Sequence, residues 1–412
     1  MITNCKQAAA LRSIAKDIID RCTFVKETEH SGTTPLLLPA GDNGYPSFWV
    51  RDSAMMMQSG LVDAAHMRQY IRITSLFGQN GAEERTLANG LCVPAWAVAD
   101  HINDNGKAVY FPGTYADGDD QGTGLYGFYP PLCDNYFYVM MAGTYTAMTG
   151  DYQILKEDFG GLTLMERLEH AWDAYHIDAE TDLCYSLDEA FNVDFGFHDA
   201  IRKTGLLLSA SILRWMAAVS LTRMTAHIGD AEKSAAYNQR ADRIASAIVS
   251  TFYEEQTGWF YSATGVGHQH DVWGTAVAAY LGLLSESQTQ KTAKTLYDAY
   301  KNGTVSMHGY IRQIPTDEDY SEASMWECSS VGRNWYQNGG YWATPTGFYA
   351  AVMAEYDKTA ASQMIEEFLA HTAAHAAEGM PIEWFNLDGG HGMRIYGTSA
   401  TGAYTAVQPL IF

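Results

Sequence analysis

The sequence predicts an all-α fold in which twelve helices pair into six hairpins, the (α/α)6 barrel or six-hairpin toroid. Helical hydrophobic periodicity recurs along the 412 residues, while the alternation typical of strands is almost absent. Long and short connections alternate between the helices. No low-complexity linker or change of composition divides the chain, so we expect one catalytic domain over residues 1–412.

Each predicted helix has apolar residues at helical spacing. The segments are 4–22, 52–75, 89–102, 134–149, 152–175, 207–229, 231–253, 271–284, 286–301, 340–356, 359–377 and 399–409. The segment 271–284 is apolar and small on many sides, as an inner helix should be, whereas 231–249 has a charged face.

The long connections are predicted to follow the odd-numbered helices. They cover residues 24–51, 103–133, 176–206, 254–270, 302–339 and 378–398. If odd helices lie outside and even helices inside, every long connection reaches the same end of the barrel. That end is therefore expected to carry the binding site.

Composition and charge exclude several classes of partner. The hydrophobic fraction of 47% and charged fraction of 18% indicate a soluble globular protein, and no apolar run approaches the length of about 20 residues needed to span a membrane. The formal charge of -22 repels nucleic acid and anionic membrane surfaces. We therefore expect a neutral or cationic ligand, no nucleic acid and no membrane partner, in a monomer or weak homo-oligomer.

No metal or cofactor is expected. The six cysteines lack CxxC spacing, and no set of His, Asp and Glu has the spacing of a zinc site. The acidic run Asp117–Asp120 is too short for an EF-hand loop. The first residues lack the basic start and apolar core of a secretory signal, so the chain is expected to be cytoplasmic or trimmed of its leader.

A first candidate site lies at the start of the second predicted helix, in the stretch 48–54. Arg51 and Asp52 stand beside Trp49, which combines polar bidentate groups with a flat apolar surface. A sugar ring presents the complementary chemistry. The alternative is a pair of charges at a helix start with a half-buried tryptophan beneath it.

The long connections also concentrate aromatic and polar side chains. Trp335 and Asn338 lie in the connection 302–339, followed by Trp342. Aromatic faces beside acidic and amide groups are typical of sugar subsites, because the CH-rich faces of sugars stack on the rings. Alternatively, these aromatics pack the loops onto the barrel.

Hydrolysis of a glycoside with inversion requires one protonated and one ionised carboxyl, about 6.5 to 9.5 Å apart. The connection 176–206 offers Glu189, Asp194 and Asp199 among aromatic residues that would raise a carboxyl pKa. The connection 378–398 offers Glu383, between Pro381 and Trp384. The acid is therefore expected in the first and the base in the second.

Three motifs resemble those of the glucoamylase family of six-hairpin glycosidases. Residues 49–54 resemble its Trp-x-Arg-Asp-Ser-Ala, residues 336–342 its Tyr-x-Asn-Gly-x-x-Trp, and residues 382–386 its Ser-Glu-Gln-Phe segment. The resemblance implies that Arg51 and Asp52 grip the non-reducing sugar and that Glu383 is the catalytic base. Trp49 and Trp342 would then help to fix the ring.

The acid departs from that family, whose Trp-Glu-Glu is missing from the connection 176–206. Residues 197–200 instead resemble the Trp-Met-Asp-Ala segment in the glucosidase domain of glycogen debranching enzymes, where the aspartate is the acid. The resemblance implies Asp199 as the acid, with Asp194 and then Glu189 as the next candidates. Alternatively, Asp199 is a helix-start charge or a partner of Arg202.

The expected function is that of an inverting glycosidase that releases sugars from the non-reducing ends of α-linked oligosaccharides of glucose or a related sugar. A sugar epimerase or polysaccharide lyase on the same barrel is an alternative, with His268, His270 and His391 as the groups that move protons. A catalytically silent sugar-binding protein is a further alternative, because the Trp-Glu-Glu is missing.

Overall fold

The computed structural model describes residues 2–28, 32–190, 192, 199–315 and 329–412. Twelve α-helices occur within these ranges. They are α1 (Cys5–Cys22), α2 (Val50–Met57), α3 (Ala64–Ile73), α4 (Cys133–Thr149), α5 (Leu164–Asp173), α6 (Leu208–Ile228), α7 (Ala231–Phe252), α8 (Val272–Tyr280), α9 (Glu286–Lys301), α10 (Thr346–Met353), α11 (Lys358–Ala374) and α12 (Gly397–Tyr404).

Thirteen short strands accompany the helices in the described ranges. They are β1 (Thr23–Thr28), β2 (Gly32–Leu37), β3 (Phe48–Trp49), β4 (Arg85–Thr86), β5 (Cys92–Val93), β6 (His101–Ile102), β7 (Ala108–Val109), β8 (Tyr185–Ser186), β9 (Gly205–Leu206), β10 (Ser306–Met307), β11 (Tyr310–Ile311), β12 (Tyr341–Trp342) and β13 (Trp384–Phe385).

Several helices begin at side chains that bond the free backbone N–H groups of the first turn. Thr163 before α5 and Ser285 before α9 each form a capping box with the residue three positions later, Glu166 and Gln288. Helix α4 ends at Gly150, whose φ of 72° lies in the left-handed region that favours glycine. These local signals explain why the helix boundaries follow the sequence closely.

The even-numbered helices contact one another in a closed order. Helix α2 contacts α4, and the contacts continue through α6, α8, α10 and α12 back to α2. Each odd-numbered helix packs against one or more of these six. Every residue of α2 is buried, whereas in α9 only Thr292, Ala293, Leu296 and Ala299 are buried, as expected of an amphipathic helix with one exposed face.

The connections alternate as predicted. Those after α2, α6, α8 and α10 are short turns, and all thirteen strands of the described ranges lie in the longer connections that follow odd-numbered helices. Two sheets, β3-β6-β7 and β10-β11-β12-β13, tie the segments in front of α2, α10 and α12 to neighbouring connections. The starts of α2, α10 and α12 therefore lie where long connections meet.

Two helix predictions are wrong. One predicted helix is two helices and another is not helical, so the total number of helices is still twelve. Residues 52–75 form α2 and α3, separated by a turn in which Gly60 has a φ of 72°. Residues 89–102 form β5, β6 and turns, with Trp96 at a φ of 62°. In addition, the first part of 152–175 is a short 3₁₀ helix, and α5 starts only at Leu164. The sequence shows almost no alternation of apolar and polar residues because most of the strands have only two residues.

No helix in the described part of the chain has both the length and the apolar character needed to cross a membrane. Of the described cysteines, Cys5 is exposed, and the other four are buried: Cys22, Cys92, Cys133 and Cys184. The sixth cysteine, Cys328, lies outside the described residues.

A buried charge cluster joins the loop after α5 to α6 and α7. Asp182 accepts hydrogen bonds from Arg214 Nη2 at 2.8 Å, Arg240 Nε at 2.7 Å and Arg243 Nη2 at 2.6 Å. The Arg214 guanidinium also lies 3.7 Å from the Trp172 ring centroid. Burial opposes ionisation, but the hydrogen bond from Arg240 and the charge of Arg214 outweigh it and hold the pKa of Asp182 well below its usual range.

Asp182→Ala is expected to lower the free energy of unfolding by about 3 to 5 kcal/mol, because it leaves the buried Arg214 without its carboxylate. Asp173→Asn is the matched control, since Asp173 is an exposed partner of Arg240 at 3.7 Å and should contribute far less. Because the folded pKa of Asp182 is depressed, its contribution is present above the unfolded pKa of about 4 and is lost as pH falls further. Denaturant titrations at pH 7 and pH 3 measure both effects, and equal losses in the two variants would contradict the assignment.

Candidate active site

A cavity of about 270 Å³ lies where the long connections meet. Its walls come from the first turn of α2 and from the connections that follow α1, α3, α5, α9 and α11. The lining residues are Pro39, Tyr45, Trp49, Arg51, Asp52, Asp100, Pro112, Gly113, Thr114, Tyr115, Tyr126, Asp199, Tyr336, Glu383 and Tyr396. The cavity therefore combines four carboxyls, one guanidinium and a ring of aromatic side chains.

Arg51 lies in the first turn of α2 and is almost fully buried. Its Nη2 donates to Asp100 Oδ1 at 3.1 Å and its Nη1 donates to Asp199 Oδ1 at 3.1 Å. Burial opposes a charged guanidinium, but the negative charges of Asp199, Asp134 and Asp100 prevail and raise the pKa of Arg51 well above its usual value. Arg51 therefore stays cationic and holds the side chains of two aspartates from different connections.

Asp52 has a different partner from its neighbour in the sequence. Its Oδ1 accepts a hydrogen bond from the Tyr396 hydroxyl at 2.8 Å. Burial raises the pKa of Asp52 to about 6, although the charge of Arg51 and the bond from Tyr396 act in the opposite direction. Arg51 and Asp52 thus present two separately anchored polar groups to the cavity.

Glu383 lies immediately before β13, in the connection between α11 and α12. Its Oε1 and Oε2 accept from the Tyr45 hydroxyl at 3.0 and 3.2 Å, and Oε2 accepts from the backbone N–H of Met393 at 3.0 Å. A Cβ at Gly392 would come within 2.4 Å of Oε2, so only glycine fits there. The carboxyl is therefore held in one orientation.

Burial raises the pKa of Glu383 to about 8. The hydrogen bonds from Met393 and Tyr45 lower it, and the charges of Asp52 and Asp199 raise it further. In the free protein the carboxyl is thus mostly protonated at neutral pH. Perturbed carboxyls in a shared cavity are characteristic of catalytic sites.

An aromatic wall faces these groups. Trp49 stacks on His101 with ring centroids 4.3 Å apart and meets Tyr115 edge-on at 5.6 Å. Tyr45 packs against Trp49 at 5.1 Å. An aromatic surface beside anchored carboxyls and a guanidinium suits a sugar ring, whose two faces are apolar and whose edge is polar.

The structure brings together five residues predicted from the sequence. Trp49, Arg51, Asp52, Asp199 and Glu383 all line the cavity. The segment that carries Asp199 is anchored by the backbone N–H of Ala200, which donates to Gln337 Oε1 at 2.6 Å.

Of the five other predicted residues, four do not line the cavity, and Asp194 lies outside the described residues. Glu189 is exposed. Trp335 is 47% exposed and contacts the Trp384 ring edge-on at 5.3 Å. Asn338 donates to the Val331 carbonyl, and the fully buried Trp342 donates to the Tyr336 carbonyl. Trp342 therefore supports the cavity wall from behind, since it bonds the backbone of the lining residue Tyr336. Asn338 bonds within the connection after α9.

The histidines proposed for an epimerase or lyase do not line the cavity either. His268 Nδ1 is 2.8 Å from the Ala263 carbonyl, and His270 Nε2 is 3.1 Å from Glu254 Oε2. His391 is exposed. Within the described residues, no group of three or more His, Cys, Asp and Glu side chains is arranged to hold a metal ion.

Sequence reasoning missed Tyr45, Asp100 and Tyr396 as site residues. Asp100 fell inside the wrongly predicted helix 89–102. The partners of Asp100 and Tyr396 are 49 and 344 positions away along the chain. No local pattern marks such contacts, although the aromatic residue Tyr45 between a glycine and a proline was a signal of a turn beside the first motif.

The sequence matches no described protein family and no curated protein. The structure is similar to solved glycoside hydrolases. A rhamnosidase from Klebsiella oxytoca with rhamnose bound superposes with a TM-score of 0.58 at 12% identity, over 98% of this chain and 64% of its own length. A GH63 mannosylglycerate hydrolase from Thermus thermophilus in complex with glucose superposes with a TM-score of 0.56 at 11% identity, over 96% of this chain and 99% of its own length.

A GH78 family rhamnosidase from a Bacillus species superposes with a TM-score of 0.56 at 14% identity, over 98% of this chain and 35% of its own length. This chain therefore has a mostly helical fold shared with GH63 and GH78 glycoside hydrolases. It spans almost the whole of the Thermus enzyme but less than two thirds of either rhamnosidase.

Glu383→Gln is expected to stabilise the protein increasingly as pH rises. The folded pKa of Glu383, about 8, lies above the unfolded value of about 4.3, so the wild type loses stability as pH rises between the two. Glutamine does not titrate, and the difference should reach on the order of 5 kcal/mol above pH 8. Unfolding measured from pH 4 to pH 9 tests this, with the exposed Glu355→Gln as control. A pH-independent difference would contradict the raised pKa.

Proposed function

We propose that the protein is a glycoside hydrolase that inverts the anomeric configuration and releases single sugars from the non-reducing ends of α-linked oligosaccharides of glucose or a related sugar. The observation that carries the proposal is the meeting of Asp199 and Glu383 in one cavity with Arg51 and Asp52. Two carboxyls beside a sugar-sized cavity are what glycoside hydrolysis requires. The fold shared with other glycosidases supports the same reaction class.

We further propose that residues 1–412 form a single (α/α)6 barrel. The closed order of contacts among the six even-numbered helices supports an inner ring, and the packing of the odd-numbered helices against it supports an outer one. The motifs that resemble glucoamylases lie in front of α2, α10 and α12, which are inner helices in this arrangement.

In the proposed reaction Asp199 donates a proton to the leaving glycosidic oxygen. As the proton leaves, Asp199 becomes an anion beside the Arg51 guanidinium at 3.1 Å, which stabilises the developing charge. Glu383 removes a proton from a water molecule, and the resulting hydroxide forms the new bond on the opposite face of the anomeric carbon. Trp49, Arg51 and Asp52 fix the ring between the two carboxyls.

The size of the cavity supports attack at a chain end. A volume of about 270 Å³ lies below the range of about 300 to 1,000 Å³ that larger ligands occupy. One sugar ring would fill it. The remainder of an oligosaccharide would then extend past Trp335, the exposed tryptophan on the connection after α9.

A second assignment exchanges the roles of the two carboxyls. The raised pKa of Glu383 favours it, because a carboxyl that is protonated at neutral pH is suited to proton donation. The hydrogen bonds that Glu383 accepts from Tyr45 and Met393 favour the ionised carboxylate and hence the role of base. Substrates with different leaving groups distinguish the two assignments.

Asp199→Asn and Glu383→Gln are expected to lose activity in different ways. Without its acid the enzyme should lose at least about 100-fold on natural disaccharides but retain most activity on glycosyl fluorides, which need no protonation. Without its base it should fail on both. The activity of each variant is measured as initial rates on α-glucosyl, α-mannosyl and α-rhamnosyl substrates. Calorimetry measures whether each variant still binds the sugar.

The reverse pattern in the two variants would establish the exchanged assignment. Binding without turnover in the wild type would indicate a silent sugar-binding protein. A product of unchanged mass would indicate an epimerase, and an unsaturated product a lyase. Each of these results would replace the proposed hydrolysis.

Tyr45→Phe should shift the pH profile of kcat/KM. The Tyr45 hydroxyl lowers the pKa of Glu383, so its removal raises that pKa further. A base must be ionised, and the acidic limb of the profile, near pH 8 in the wild type, should therefore move to higher pH. Tyr115→Phe is the matched control in the same cavity. Movement of the alkaline limb instead would show that Glu383 acts as the proton donor.

A further inference from the structure

We propose that Asp100 and His101 are a positioning pair that fixes the distance between the aromatic wall and Asp199. The inference rests on the proposed function, because it concerns how the sugar ring and the acid are held relative to each other. Neither residue was assigned a role by the motifs in the sequence. Both side chains are only 1% exposed.

Each oxygen of Asp100 has its own partner. Oδ1 accepts from Arg51 Nη2 at 3.1 Å, and Oδ2 lies 2.8 Å from His101 Nδ1. Since a carboxylate only accepts, His101 donates through Nδ1. Asp100 therefore joins the guanidinium to the imidazole, and removal of either hydrogen bond would free one side of the carboxylate.

The backbone fixes the same residues independently. Strand β3 pairs with β6 so that Trp49 lies opposite His101, and the N–H of Val50 donates to the Asp100 carbonyl at 3.1 Å. In this register the imidazole lies against the indole of Trp49, with centroids 4.3 Å apart and an interplanar angle of 20°. His101 thus supports Trp49, and Tyr115 contacts the same imidazole edge-on with ring centroids 5.4 Å apart.

These contacts form a continuous series from the half-buried Trp49 through the buried His101, Asp100 and Arg51 to Asp199. One end supports the proposed sugar surface and the other end is the proposed acid. A displacement of about 1 Å between a bound ring and its catalytic group can reduce turnover about 100-fold. A rigid linkage between the two ends would keep that distance constant.

Substitutions can separate the stacking of His101 on Trp49 from the hydrogen bonds of Asp100. His101→Phe keeps a flat ring beneath Trp49 but loses the hydrogen bond to Asp100. His101→Ala loses both. Asp100→Asn keeps the size of the side chain and removes the charge that holds Arg51. None of the three changes Asp199 itself.

If the pair positions the acid, Asp100→Asn and His101→Phe should show a weaker form of the leaving-group profile of Asp199→Asn. We expect kcat to fall by up to about 100-fold on disaccharides and by much less on glycosyl fluorides, with KM nearly unchanged. The double variant should be no worse than the more impaired single variant, because both act through one hydrogen bond. His101→Ala should in addition raise KM, since Trp49 loses its support.

His170→Ala is the matched control. His170 stacks on Trp96 with ring centroids 4.1 Å apart and an interplanar angle of 5°. This histidine–tryptophan pair resembles that of His101 and Trp49 but does not line the cavity. It should lower the melting temperature without changing kcat, KM or the leaving-group profile. Melting temperatures of all variants are compared in the same buffer.

Equal losses on disaccharides and fluorides, in proportion to the melting temperature, would overturn the positioning role and leave the proposed hydrolysis intact. Additive effects in the double variant would also overturn it. Absence of hydrolysis by the wild type on every glycoside would overturn the proposed function, and the positioning of an acid with it.

Discussion

The buried guanidinium of Arg51 is the constraint on which the site depends. A buried cation is costly unless carboxylates surround it, and the helix that carries Arg51 supplies only Asp52, which instead accepts from Tyr396. Arg51 instead donates to Asp100, after α3, and to Asp199, after α5. Pairing Arg51 therefore requires two long connections to meet at the start of α2, and this meeting places Asp199 in the cavity.

The cavity carries more negative than positive charge among its lining residues. Arg51 alone faces Asp52, Asp100, Asp199 and Glu383. Burial is the largest cause of the raised pKa of both Asp52 and Glu383, and the neighbouring carboxylates add to it. Such groups reduce the stability of the folded state at neutral pH and are retained where they serve a reaction. The same excess of negative charge would disfavour anionic sugars.

Much of the helical organisation was predictable. Periodicity and capping signals such as Ser285 are local, and the alternation of long and short connections placed the first motif where a long connection meets the start of a helix. The errors arose where turns interrupt apolar runs. The segment 89–102 has helical spacing, but its residues are buried by sheet and loop contacts, as with Val93 and His101.

The sequence by itself determined the helical repeat and the candidate residues Arg51, Asp52, Asp199 and Glu383, because short motifs and periodicity record interactions between near neighbours. Only the tertiary structure decided that Arg51 pairs with Asp100 and Asp199, that Tyr45 and Met393 hold Glu383, and that Trp342 lies behind the wall. These contacts join connections far apart in the chain. Their geometry depends on how the helices pack against one another, which no local pattern specifies.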